Sequence, residues 1–183
     1  MDVLDFPDAA AWEAWLAAHH ATQAEAWLRI VKRHSGLTSV TVAEALDVAL
    51  CFGWIDGQRR ANDDVSFLQR YSRRRPGSSW SRVNVAKVQA LLAAGRMRPA
   101  GLVEVRAAQA DGRWQGAYEP QRTATVPPDL IAALTGDARA NAAFERLGRS
   151  ERYAAILPLL KARTPETRAR ILARTIERLA AQE

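Results

Sequence analysis

The hydrophobic pattern of this chain changes period along its length, and that change limits the folds open to it. From Ala26 to Arg33 apolar and polar residues alternate, with Leu28 and Ile30 on one face, and Trp54 to Arg60 and Val65 to Ser72 are two further strand-like runs meeting across Asn62-Asp63-Asp64. From Ser81 to the C-terminus apolar residues instead recur every three or four positions, the spacing of an amphipathic helix. Strands followed by a long run of helices predict an α+β fold, predominantly helical. A small antiparallel sheet of about three strands packs with helices and leads into a helical C-terminal lobe.

Helix boundaries fall on residues with a physical reason to sit there. Asp5-Phe6-Pro7-Asp8 opens a first helix to about His20, with Trp12, Trp15 and Leu16 turned to the core. Thr41 and Glu44 have capping-box spacing, in which hydroxyl and carboxylate satisfy amides that a helix start leaves open; they predict a helix through Phe52, stopped by Gly53. Beyond Ser81 come a helix to Ala94 closed by Gly95, one from Pro99 to Ala110, one opened by Pro127-Pro128, two near 137–147 and 150–163, and a last one capped by Thr164-Pro165. Pro158 is expected to kink the second of the pair. On the final helix Arg170, Arg174 and Arg178 lie opposite the apolar stripe and read as a solvated face, with Glu166 placed to pair with Arg170. The expected organisation is one domain over 1–183, with an α/β portion at 1–110 and a helical tail at 128–183 that is, at roughly 55 residues, short for independent folding.

The basic residues are unevenly spread. Ten lie between Gln58 and Arg98 against two acids, Asp63 and Asp64, so this span carries a net +8 while the whole chain carries +6. Within it Arg73-Arg74-Arg75 precede Pro76-Gly77 and the serines at a predicted helix start, where unbonded amides and guanidinium groups together suit a phosphate or carboxylate. The expected anion-binding set is Asp56, Arg74, Arg75, Ser78, Ser79, Trp80, Ser81 and Asn84. Trp54 reads as core, and Trp80 equally as core or as an exposed stacking platform. The partner that fits is a small anionic ligand or a protein. An enzyme using Asp56 and the Arg/Ser loop on an anionic substrate is the alternative, and nonspecific nucleic-acid binding is a less favoured one, since no repeated stacking platform or base-reading helix accompanies the charge.

Other chemistries lack support. Cys51 is the only cysteine and is expected near Glu44 and Asp47 at the negative end of a helix, the wrong setting for an activated thiolate. His19, His20 and His34 show no ligand spacing, and no dinucleotide or phosphate-loop fingerprint occurs, so no metal and no cofactor are expected. A lone cysteine, the absence of Lys or Arg before Arg29, and the lack of any long apolar run predict a cytoplasmic protein without a transmembrane segment.

Several of these motifs also occur together elsewhere. Ala49 to Gly57, Arg74-Arg75-Pro76 through Trp80-Ser81 to Asn84, Gly95-Arg96-Met97 with Pro99-Ala100-Gly101, Asp111 to Trp114, and Glu166-Thr167-Arg168 resemble, in order, the YdeI/OmpD-associated family, also called OmdA or bacteriocin-protection proteins. The resemblance runs from about Trp12 to the final helix; Arg73 departs from it, standing where the related proteins carry proline. It implies a link to porins and to resistance against antimicrobial peptides, and it attaches no settled enzymatic activity to any residue.

Overall fold

The computed structural model describes residues 2–181. Strand β1 (Val3–Leu4) precedes helix α1 (Ala9–His19), strand β2 (Glu25–Val31), helix α2 (Val42–Cys51) and the hairpin of β3 (Trp54–Ala61) and β4 (Ser66–Arg73). Helices α3 (Arg82–Ala93), α4 (Pro99–Ala110), α5 (Pro128–Thr135), α6 (Ala138–Arg146), α7 (Arg149–Lys161) and α8 (Pro165–Ala180) follow. The chain divides into two compact units. The first takes the chain up to Trp80 together with Asn84–Gly116, and the second takes Ser81–Val83 with the chain from Ala117 onward.

The sheet of the first unit has the order β1-β2-β4-β3. Its three long strands are antiparallel, whereas β1 pairs in parallel with β2 through Val3↔Trp27 and Leu4↔Leu28. The sheet is therefore mixed and four-stranded rather than three-stranded and antiparallel; two residues are too few to display a period, so β1 leaves no signal in the sequence. The hairpin turn is held by Asp63, whose Oδ1 accepts from the Val65 amide at 3.0 Å and the Ser66 hydroxyl at 2.7 Å. A bulge interrupts β3: Asp56 faces Tyr71 and Arg59 faces Gln69, so Gly57 and Gln58 share the space opposite Arg70. The buried Gln69 amide fills the gap, donating to the Gly57 and Gln58 carbonyls at 3.1 and 3.3 Å.

Aromatic rings lock α1 onto this sheet. Trp12 and Trp15 stack at 5.3 Å, and Trp54 meets them edge-on at 6.4 and 6.2 Å. Trp12, Leu16, Trp54 and Tyr71 are fully buried, each such side chain contributing on the order of 2 kcal/mol from apolar burial. The Trp12 indole also donates to the Ala45 carbonyl at 3.1 Å, tying α1 to α2. Thr41 and Glu44 form the expected capping box at the start of α2. Helix α4 then crosses the end of α2 so closely that a Cβ on Gly101 would stand 2.3 Å from the Cys51 carbonyl oxygen. Only glycine permits that approach.

The second unit has its own core, in which Leu130 and Leu134 of α5, Phe144 of α6, Ile156 and Leu159 of α7 and Leu179 of α8 are buried together. A side-chain clamp braces it. Arg168 on α8 donates to both Asp129 oxygens at 2.6 and 2.8 Å and to the Leu159 carbonyl at 2.8 Å, joining three helices. Arg168 holds the Asp129 carboxyl below its ordinary range. Among the described residues Glu166 forms no ion pair with Arg170, and α8 is fastened through Arg168 instead.

Candidate functional site

Where β4 ends, the chain leaves the sheet as Arg73-Arg74-Arg75-Pro76, and a cleft of about 690 Å³ opens beside it within the first unit. The junction of α2 and β3 supplies an apolar floor at Phe52 and Gly53, while α4 supplies Ala100, Val103 and Glu104. His20 and Glu25, from either side of the α1–β2 turn, close the remaining wall. The size suits a small molecule.

The guanidinium groups along this cleft differ in what they can do. Arg70 is bound to Glu25 at 2.6 Å, so its charge is already met. Arg74 is buried, lies 3.5 Å above the Trp80 ring and donates to the Ser79 carbonyl at 3.3 Å; its role is to fix the loop. Arg73 and Arg75 are exposed and form no ion pair among the described residues. Their backbones are nonetheless held, Arg73 by donating to the Ala24 carbonyl at 3.2 Å and Arg75 by accepting from the Ser78 hydroxyl at 2.6 Å. Two exposed cationic heads on a hydrogen-bonded backbone line a cleft with an apolar floor. His20 joins them in a defined tautomer: its Nδ1 lies 2.9 Å from the Leu16 carbonyl, which can only accept, so Nδ1 carries a proton and in the neutral ring Nε2 is the acceptor.

The structure distributes the eight residues expected from sequence. Arg74 and Arg75 line the cleft; Ser78 and Ser79 serve the loop through Ser78 Oγ and the Ser79 carbonyl. Trp80 is a core residue, packed edge-on against Trp114 at 4.9 Å, and its indole nitrogen is buried without a hydrogen-bond partner among the described residues. Ser81 pairs with Tyr118 in the second unit, and there the Arg82 amide donates to the Tyr118 carbonyl at 2.9 Å, so the first amide of α3 is occupied. Asn84 is half-buried on α3 and does not line the cleft. Asp56 lies on β3 outside it, opposite Tyr71.

Asp56 has an unusual setting. Its surface is open to solvent, yet protein atoms crowd it on the remaining sides, and this partial desolvation pushes its pKa up despite a compensating backbone hydrogen bond and the charges of Arg74 and Arg59. Tyr71, fully buried beside it, is pushed up strongly by burial and by the Asp56 charge. Cys51 is buried, and burial raises its thiol pKa, the condition of an inert thiol.

The expected binding set left out Arg73, although the sequence places it in the arginine run, and sequence reasoning missed His20, Phe52 and Glu104 as neighbours of that run. The four come from separate parts of the chain, the end of β4, the residues just after α1 and just after α2, and α4, and only the packing of the sheet and α4 brings them together. One local signal was present: Phe52-Gly53, where Gly53 has φ of 75° and where a Cβ would stand 3.0 Å from Glu104 Cγ. Another cavity, of about 740 Å³, lies elsewhere in the unit; Ile30, Val40, Val42 and Phe67 give it a mostly apolar lining, to which Lys32, Arg33 and Ser39 add polar groups. Among the described residues no helix is long and apolar enough to cross a membrane, and no cluster of three potential metal ligands occurs.

Comparison with known proteins divides the chain near the boundary between its units. The family model of a domain of unknown function, DUF8412, matches residues 4–104, and that described as Bacteriocin-protection, YdeI or OmpD-Associated (OmdA) matches residues 123–182. The resemblance to the OmdA family is thus found over the C-terminal helices, while the motifs from Ala49 to Gly101 lie in the first match. No curated protein and no solved structure matches the chain. All the residues lining the arginine cleft, His20 to Glu104, fall within the first matched segment, which spans more than half the chain; a segment similar to the OmdA family follows it, and the protein belongs to the DUF8412 family.

Proposed function

We propose that this protein binds a small anionic ligand in the cleft beside the end of β4. The observation that carries this reading is the pair of exposed guanidinium groups of Arg73 and Arg75, without ion pairs among the described residues, on a cleft with an apolar floor, next to two arginines already committed to Glu25 and Trp80. Guanidinium groups grip carboxylate or phosphate through paired hydrogen bonds, a geometry an ammonium does not reproduce. The family description of the C-terminal segment suggests the setting, protection against an antimicrobial stress, with ligand or protein binding as the biochemical act.

The test is a melting experiment with sulfate, phosphate and citrate at matched ionic strength. Each binding anion stabilises the folded state by mass action. The double change Arg73→Lys with Arg75→Lys keeps the net charge and is expected to remove the anion-specific rise in Tm, whereas Arg170→Lys with Arg174→Lys on α8 leaves it intact. Full retention of the shift in the first variant sinks the reading.

A second reading, catalysis centred on Asp56, rests on the raised carboxyl beside Tyr71 and the Arg59 and Arg74 charges. It calls for a hydrolase screen with Asp56→Asn as the control. Activity that disappears in a variant of unchanged or higher Tm would favour it over binding.

A further inference from the structure

Resting on the anion-binding reading of the same cleft, we infer that its ligand is an amino-carboxylate, carrying a protonated amine as well as the anionic group. The cleft is not uniformly basic. Two carboxylates line it, and they differ: Glu25 is consumed by Arg70 at 2.6 Å and by the Trp27 indole at 3.2 Å, whereas Glu104 has no hydrogen bond or ion pair among the described residues. Glu104 is half-buried on α4, and its stem is pressed against Gly53, within 3.0 Å of the place a Cβ would occupy. Gly53 in turn is fixed, because its carbonyl accepts from the Arg74 amide at 3.0 Å. The fold therefore sets a carboxylate on one wall and two guanidinium groups on another, none of them with an ion-pair partner among the described residues.

A simple anion satisfies the arginines and leaves Glu104 unmet, and a second carboxylate on the ligand would meet repulsion there. A ligand with an ammonium group satisfies both walls, while its aliphatic spacer covers Phe52 and Val103. Half-burial strengthens this discrimination, since the Glu104 charge is less screened than one in open water.

Three five-carbon acids separate the possibilities: pentanoate, pentanedioate and 5-aminopentanoate, titrated by calorimetry at matched ionic strength into the full chain. The wild type is expected to bind 5-aminopentanoate about tenfold or more tighter than pentanoate, and pentanedioate no tighter than pentanoate. In Glu104→Gln, checked for an unchanged melting transition, the ratio between the amino acid and pentanoate is expected to collapse to about one. Equal binding of all three acids by the wild type overturns the inference and leaves the anion cleft standing; so does a preference that survives Glu104→Gln. Failure of every acid to bind removes the cleft reading and the inference with it. The wild-type series decides the matter even if the variant does not fold.

Discussion

Crowding by protein atoms disfavours the charged form of Asp56. Its folded pKa is raised, so its protonated form is the one the fold favours. The contribution is fully present below the ordinary aspartate range near about pH 4 and is lost as pH rises through the raised value, leaving a net cost at neutral pH. Asp56→Asn is therefore expected to raise Tm at pH 7, with the gain vanishing as the buffer is brought below about pH 4. A lower Tm for the variant at pH 7 would show that ion pairing with Arg74 and Arg59 outweighs desolvation. Gly101 is constrained by packing alone. Its absent Cβ is what lets α4 approach backbone atoms of Leu50 and Cys51, which cannot rotate away as a side chain would. Gly101→Ala is expected to cost roughly 3 kcal/mol in denaturant unfolding; a loss under about 0.5 kcal/mol, the range of ordinary surface changes, contradicts the close contact.

Among the elements, α8 shows how different two arginine roles on one helix are. Arg168 reaches across to α5 and α7, while Arg170, Arg174 and Arg178 are exposed and make no ion pair among the described residues. Asp129 and Arg168 are both about one-third exposed, so solvent screens the pair and its worth is modest. Arg168→Met is expected to cost about 1 kcal/mol at pH 7, and the triple change of Arg170, Arg174 and Arg178 to Gln to fall within about 0.5 kcal/mol of wild type. The pH dependence has the opposite sign to that of Asp56. A carboxyl held below its ordinary value stabilises above that value and loses its contribution as pH falls through the lowered one, so the gap between wild type and Arg168→Met is expected to close in acid. A gap that stays constant down to acid unfolding would place the effect in packing of the arginine stem.

Across the whole molecule, charge that is concentrated in sequence is partly compensated in space and partly engaged by aromatic rings. Of the ten basic residues between Gln58 and Arg98, Arg70, Arg82, Lys87 and Arg98 pair with Glu25, Glu119, Asp47 and Glu13, and Arg59, Arg60 and Arg74 lie over aromatic rings. Few cations remain for a phosphate backbone. Duplex DNA is accordingly expected to bind no tighter than the nonspecific range of about 10⁻⁴–10⁻⁶ M at physiological salt, and a log–log salt slope steeper than about −5 would overturn this.

What the sequence determined by itself was local: the helices, because Thr41 and Glu44, Pro99, Pro128 and Thr164 satisfy or dispense with helix-end amides by groups within a few residues, and the hairpin, because Asp63 closes its own turn. The pairing of β1 with β2, the burial of Arg74 on Trp80, and the meeting of His20, Phe52, Arg73 and Glu104 in one cleft were decided only by tertiary structure. Capping and turn bonds act over three or four positions and leave a pattern. A cleft is assembled from side chains as much as 84 positions apart, His20 to Glu104, and what brings them together is the packing of α1 and α4 around α2 and the sheet, which no local spacing encodes.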